Sequence, residues 1–185
     1  MGAPQREDDA TVDLALIARW QGGDQRAASE IVERHAQALA RFAASHGVRD
    51  DIDELVQDTF VRAFNSLESF RADSSLRTWL FTILKRLMLD RQRAERRQRN
   101  KVELEEDHAV QEFNALDGMV ADEALVRVRQ AVERLSPLQR EVFTLRVTEG
   151  LPYLEIARIV ESTEGACRVH YHNAMRAIKE FLSDD

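Results

Sequence analysis

Apolar residues recur at steps of three and four along nearly the whole chain, a period that belongs to helices and not to strands. Val12, Leu14, Leu16, Ile17 and Trp20 mark a first helix, closed by Gly22 and Gly23. Asp24 is the expected N-cap of a second, which carries Ala27, Ala28, Ile31, Val32, Leu39 and Phe42 and stops near Gly47. Ile52, Leu55, Val56, Thr59, Ala63 and Leu67 predict a third over 51–67. A polar loop over 69–75, with Phe70 as its aromatic, precedes a fourth helix. Ser74 or Ser75 caps that helix, which runs to about Arg97.

Beyond an acidic stretch the helical period resumes. Leu125, Val128, Val132 and Leu135 form a stripe, and Ser136-Pro137 starts a new helix with proline at its favoured first position. That helix ends at Gly150, Pro152 opens a short one through Val160, a turn covers 161–165, and a last helix reaches about Leu182. The expectation is an all-α protein with two small helical domains, 10–97 and 121–183. A disordered leader is expected over 1–9 and a flexible acidic linker over 98–120.

Composition agrees with helices: 44% of the 185 residues are apolar, with only three prolines and seven glycines. The formal charge of −7 argues against nucleic acid as a partner until its distribution is read. Residues 85–101 hold eight Lys/Arg against Asp90 and Glu95, whereas 102–123 hold eight Asp/Glu and no cation. A lone cysteine, Cys167, excludes an internal disulfide and a cysteine-based metal site, and suits a reducing cytoplasm. No apolar run approaches ~18 residues, so no membrane insertion is expected. The first nine residues lack the apolar core of a secretory signal. No nucleophile–base spacing stands out, and His170 and His172, two apart, do not share a helical face. The expectation is no catalytic residue, no metal and no cofactor.

Two helices have opposed faces. On the last, Cys167, Tyr171, Ala174, Met175, Ile178, Phe181 and Leu182 share one arc. Arg168, His172, Arg176 and Lys179 share another, beside Val169 and Asn173. Short helix, tight turn and longer helix is the arrangement that presents a recognition helix to the major groove. Arginine there pairs with guanine, asparagine with adenine, and an apolar side chain meets a thymine methyl. On the fourth helix, Leu76, Trp79, Leu80, Ile83, Leu84 and Leu87 oppose Thr78, Thr82, Lys85, Arg86, Arg93 and Arg96. A face of one charge sign suits a nucleic-acid backbone.

Several segments, in order, carry a resemblance. Asp51-Ile52-Asp53-Glu54-Leu55-Val56-Gln57-Asp58-Thr59-Phe60-Val61-Arg62-Ala63 resembles the polymerase-binding helix of extracytoplasmic-function (ECF) sigma factors. Trp79-Leu80-Phe81-Thr82-Ile83, with Asp90 and Arg93, is similar to that family's −10 helix. The stretches 135–143 and 149–157, Leu-Ser-Pro-Leu-Gln-Arg-Glu-Val-Phe and Glu-Gly-Leu-Pro-Tyr-Leu-Glu-Ile-Ala, resemble its −35 domain.

The resemblance implies that Asp53, Glu54, Gln57, Asp58, Phe60 and Arg62 dock on core RNA polymerase at the β′ clamp coiled coil, with the β flap as a second contact. It implies that Phe70, Arg71, Asp73, Ser74, Thr78, Trp79, Thr82, Lys85, Arg86 and Arg93 hold the melted −10 strand of promoter DNA. It places Thr163, Glu164, Arg168, Val169, His172, Asn173 and Arg176 on the −35 duplex. By resemblance alone, an anti-sigma factor is a further candidate partner. The chain departs from the family where Arg86 replaces a frequent asparagine and where Gly165-Ala166-Cys167-Arg168-Val169-His170 replaces a usual Gly-Thr-Val-Lys-Ser-Arg. The alternative is a stand-alone helix-turn-helix regulator, which has no use for the 51–64 motif.

Overall fold

Gly23 adopts φ +94°, a left-handed conformation open to glycine, and so lets the chain turn back between the first two helices. The structure, a computed structural model, describes residues 3–48, 51–102 and 123–183. α1 (Ala3–Gln21) and α2 (Gln25–Ser45) form an antiparallel pair across that turn. Asp24 caps α2 by accepting from the Arg26 N–H at 3.0 Å, as its position before the apolar run predicts. Arg19 reaches the same carboxylate at 2.7 Å and Glu30 at 2.9 Å, and the Arg19 hydrogen bond holds the Asp24 carboxyl below its usual range. Deeper in the pair, buried Asp13 takes Arg34 at 3.0 Å and His35 at 3.1 Å.

α3 (Ile52–Asn65) places Asp53 and Glu54 in its first turn, where the helix dipole favours anions. It ends two residues before the expected limit, and a single 3₁₀ turn, Leu67–Ser69, carries the chain onward. α4 (Leu76–Val102) is capped by Ser75, whose Oγ accepts from the Thr78 N–H at 3.2 Å. Phe42 of α2 meets Phe81 of α4 edge-on at 5.1 Å, and neither ring has solvent exposure. Ile31, Leu39, Leu55, Leu80 and Leu84 complete the centre of this bundle.

The second unit is built from α5 (Glu123–Glu133), α6 (Pro137–Val147), α7 (Tyr153–Val160) and α8 (Glu164–Ser183). Ser136 and Gln139 form a reciprocal capping box with Pro137 just inside, so α6 starts where the sequence predicts. Glu161, with φ +54°, ends α7, and Thr163 then caps α8 through the Ala166 N–H at 3.1 Å. Ala131, Leu135, Ala174 and Ile178 fill a small core between α5 and α8.

Three sequence expectations change. The leader expected to be disordered over 1–9 is helical from Ala3, and Asp9 anchors it through Arg34 at 3.0 Å. α4 continues five residues past Arg97, into the stretch assigned to the linker. The remainder of that linker, 103–120, lies outside the described residues. The two helical units also do not keep separate cores. α4 packs against α7 and α2 against α6, so one apolar cluster runs from Leu16 to Cys167.

Candidate nucleic-acid interface

Three faces carry the residues singled out by the sequence. On α3, Asp53, Glu54, Gln57 and Arg62 are exposed and Asp58 is half-buried. Glu54 and Asp58, four apart, share a side of the helix, and Arg91 of α4 pairs with both, at 3.3 and 3.1 Å. Val61 adds an exposed apolar side chain to this surface. Phe60 is a correction: it is buried in the core beside Phe64, because its position falls on the inward arc with Val56 and Ala63.

Around α4 the expected face is divided. Phe70 packs on Trp79 with ring centroids 5.3 Å apart, both half-buried, and Ala72 at φ +55° bends the loop between them. Arg71, Asp73, Arg86 and Arg93 are exposed, while Ser74 and Thr82 are half-buried. Thr82 donates to the Thr78 carbonyl at 2.9 Å. Thr78 and Lys85 depart from expectation. Thr78 is only 1% exposed, and the Lys85 ammonium lies 2.8 Å from Glu141 of α6, with little of either side chain in water. An amphipathic wheel shows only the polar character of this face. Its cover comes from elsewhere in the chain.

That cover is the second unit. The Glu149 side chain, fully buried, accepts from Arg41 Nε at 3.2 Å and also from Arg77. Glu155 of α7 accepts from the Ser75 hydroxyl at 2.8 Å and from the Thr78 hydroxyl. Arg158 donates to the Asp73 carbonyl, and Arg86 stands 3.9 Å from Glu161. A cavity of about 530 Å³ remains open at this seam, bounded by α1, α2, the Phe70–Ser75 stretch and Glu149. Burying charges costs several kcal/mol each, which close pairing offsets. None of Arg41, Arg77, Glu141, Glu149 and Glu155 was singled out from the sequence. Only Glu155, between Leu154 and Ile156, carries a local signal, a carboxylate inside an apolar run.

On α8 the opposed arcs hold. Cys167, Ala174 and Ile178 are buried, and burial pushes the Cys167 thiol up in pKa. Thr163, Arg168, Val169, His172 and Arg176 are exposed, with Glu164 and Asn173 half-buried. Arg168 is held on its own helix by Glu164, and its guanidinium lies 4.8 Å from the Tyr153 ring centroid. Arg146 lies 4.8 Å from the same ring and donates to the Leu151 carbonyl at 3.0 Å. Tyr153 also meets Tyr171 edge-on at 5.9 Å. Tyr153 stands in the 149–157 stretch that carries the resemblance, but no charge pattern marks it as a support for Arg168. Among the described residues no group of three or more acidic, histidine or cysteine side chains is placed to hold a metal. Nor is any described helix long and apolar enough to cross a membrane.

Residues 31–98 match sigma-70 region 2 and residues 125–178 match sigma-70 region 4, so the chain has the two conserved regions of a sigma factor. The RNA polymerase sigma factor NccH of Alcaligenes xylosoxydans xylosoxydans is 34% identical over 80% of this chain and 83% of its own length. The ECF RNA polymerase sigma-E factor of Salmonella typhimurium is 30% identical over 90% of this chain and 92% of its own. Among solved structures, the sigma factor RpoE of Bartonella quintana, in complex with the anti-sigma factor NepR, superposes with a TM-score of 0.72. It shares 26% identity, over 85% of this chain and 97% of that one. The chain belongs to the family of ECF RNA polymerase sigma factors. Its function is to direct RNA polymerase to specific promoters for initiation, and the alternative of a stand-alone regulator falls.

Proposed function

We infer that the three faces divide the work of initiation. The acidic outer side of α3 (Asp53, Glu54, Gln57, Asp58 and Arg62) docks on the polymerase clamp. Its exposure in the folded chain supports this reading. The 70–75 loop and the polar side of α4 grip the melted −10 strand by stacking at Phe70 and Trp79 and by charge at Arg71, Lys85, Arg86 and Arg93. Thr163, Glu164, Arg168, Val169, His172, Asn173 and Arg176 meet the −35 duplex. The chain contributes positioning and no chemistry of its own, phosphodiester synthesis belonging to the polymerase. It works in the cytoplasm with the polymerase, and an anti-sigma factor, as in the RpoE–NepR complex, is its candidate regulator.

The observation that carries this reading is the α8 face, polar and open to solvent on a helix whose other arc is buried. Because Thr78 and Lys85 are covered, gripping the strand requires the second unit to leave α4. The test is run-off transcription with core polymerase on a genomic fragment library. Discrete start sites that depend on the chain are expected. Identical random starts with and without it overturn the assignment.

A further inference from the structure

The polar side of α4 has an apolar centre. Leu89 is 38% exposed, the one large hydrophobic side chain of α4 that stands in water among the described residues. Arg86 precedes it by three residues, and Lys85 and Arg93 stand four to either side, so all three border it on the helix surface. Arg96, two turns beyond Leu89, continues the row and is exposed. The buried row of Leu80, Leu84 and Leu87 lies on the opposite side of the helix, so Leu89 contributes nothing to the bundle core.

A leucine bordered by cations fits few partners. An apolar protein surface laid over it would dehydrate those cations without pairing them. A nucleic-acid strand offers both kinds of group at this scale, phosphates for the cations and bases between them. Arg86 and Arg93 can meet phosphates, since their ion pairs, with Glu161 at 3.9 Å and Asp90 at 3.5 Å, are long and exposed. Leucine has no hydrogen-bonding group on its side chain, so it distinguishes bases only by apolar contact. The thymine C5-methyl is the one apolar group that base edges present.

We propose that Leu89 is a further specificity-determining residue of the −10 face, seated against the C5-methyl of a thymine in the melted strand. The inference rests on the reading of α4 as the −10 face and deepens it. At 1.5 Å of rise per residue, Leu89 lies about 15 Å along α4 from Trp79. The strand is therefore held by stacking at the Phe70–Trp79 end and read by shape at a separate base, with Arg86 and Arg93 on phosphates to either side.

The test uses holoenzyme, assembled from core polymerase and the full chain, and a promoter that it selects in run-off transcription. A fluorescent oligonucleotide carrying the melted strand of that promoter is read by anisotropy. Each thymine in turn is replaced by deoxyuridine, which removes the methyl group and nothing else. At one position the parent should bind about fourfold more weakly, the factor for one methyl group withdrawn from apolar contact. Leu89→Ala should lose a similar factor on the thymine strand and be indifferent to deoxyuridine at that position. Leu89→Met keeps an apolar reach and should stay sensitive. A parent insensitive at every position overturns the proposal, as does a selected promoter whose melted strand holds no thymine, or a Leu89→Ala variant as sensitive as the parent. Arg86→Ala with Arg93→Ala separates these failures from failure of the −10 reading. If that double variant binds the strand weakly while Leu89→Ala behaves as the parent, only the role of the leucine falls. If the double variant binds the strand as the parent does, with the same salt dependence, the −10 reading of α4 falls as well.

Discussion

Replacing Tyr153 by leucine should loosen −35 recognition without touching a single residue assigned to DNA. The tyrosine ring holds the guanidinium of Arg168 at 4.8 Å and that of Arg146 at the same distance. Arg168 is largely exposed, so each contact falls at the lower end of the cation–π range, about 0.5–1 kcal/mol. Losing the Arg168 contact removes about 0.5–1 kcal/mol of preorganisation. At about 1.4 kcal/mol per factor of ten, the −35 duplex should bind about 2- to 5-fold more weakly. Leucine keeps the apolar body that sits beside Tyr171, so the helix-turn-helix itself should stay folded. Phenylalanine keeps the ring face and should restore most of the affinity, which separates ring electrostatics from the hydroxyl and from simple packing. The assay is fluorescence anisotropy of full chain on a duplex taken from a promoter it selects, with each base pair of the −35 site varied in turn. For Tyr153→Leu the discrimination at the base read by Arg168 should shrink along with the affinity. If Tyr153→Leu binds like the parent while Arg168→Ala binds weakly, the ring does not position that arginine and the reasoning fails.

Acid should weaken the fold through His46. Its ring lies on Phe42 at 4.2 Å, Nδ1 contacts the Phe42 carbonyl at 2.7 Å, and Nε2 is buried with no hydrogen-bond partner among the described residues. Burial lowers its pKa, while nearby Glu141 opposes, and Arg140 and Lys85 assist, that shift. The folded chain therefore binds fewer protons at this site than the unfolded one. Its stabilising effect is full above the unfolded value of about 6.5 and is lost as pH falls below it. Urea unfolding should show stability declining on that side, and His46→Gln should flatten part of the decline; an unchanged profile contradicts this account. In the core, Phe81→Ala should cost about 3–5 kcal/mol, since the ring has no exposure and supports Phe42. A urea-derived loss below about 1 kcal/mol would show that the site collapses around the gap.

Much of this molecule is local and therefore legible along the chain. Helix starts at Asp24, Ser75 and Ser136-Pro137 depend on short-range capping, and each is occupied as the residue types dictate. The two arcs of α8 follow from a period of 3.6 residues acting on one segment. Phe60 was misplaced because a motif names positions without saying which arc of the bundle they face. What tertiary structure alone decided is where the polar side of α4 points. Thr78 and Lys85 have the sequence character of a solvated or nucleic-acid face, yet they lie under carboxylates more than fifty residues further along the chain. A charge pattern records the sign a surface presents and says nothing of which distant group comes to neutralise it. Long-range pairing of that kind depends on how two separately encoded bundles dock, and docking appears only when both are present in space.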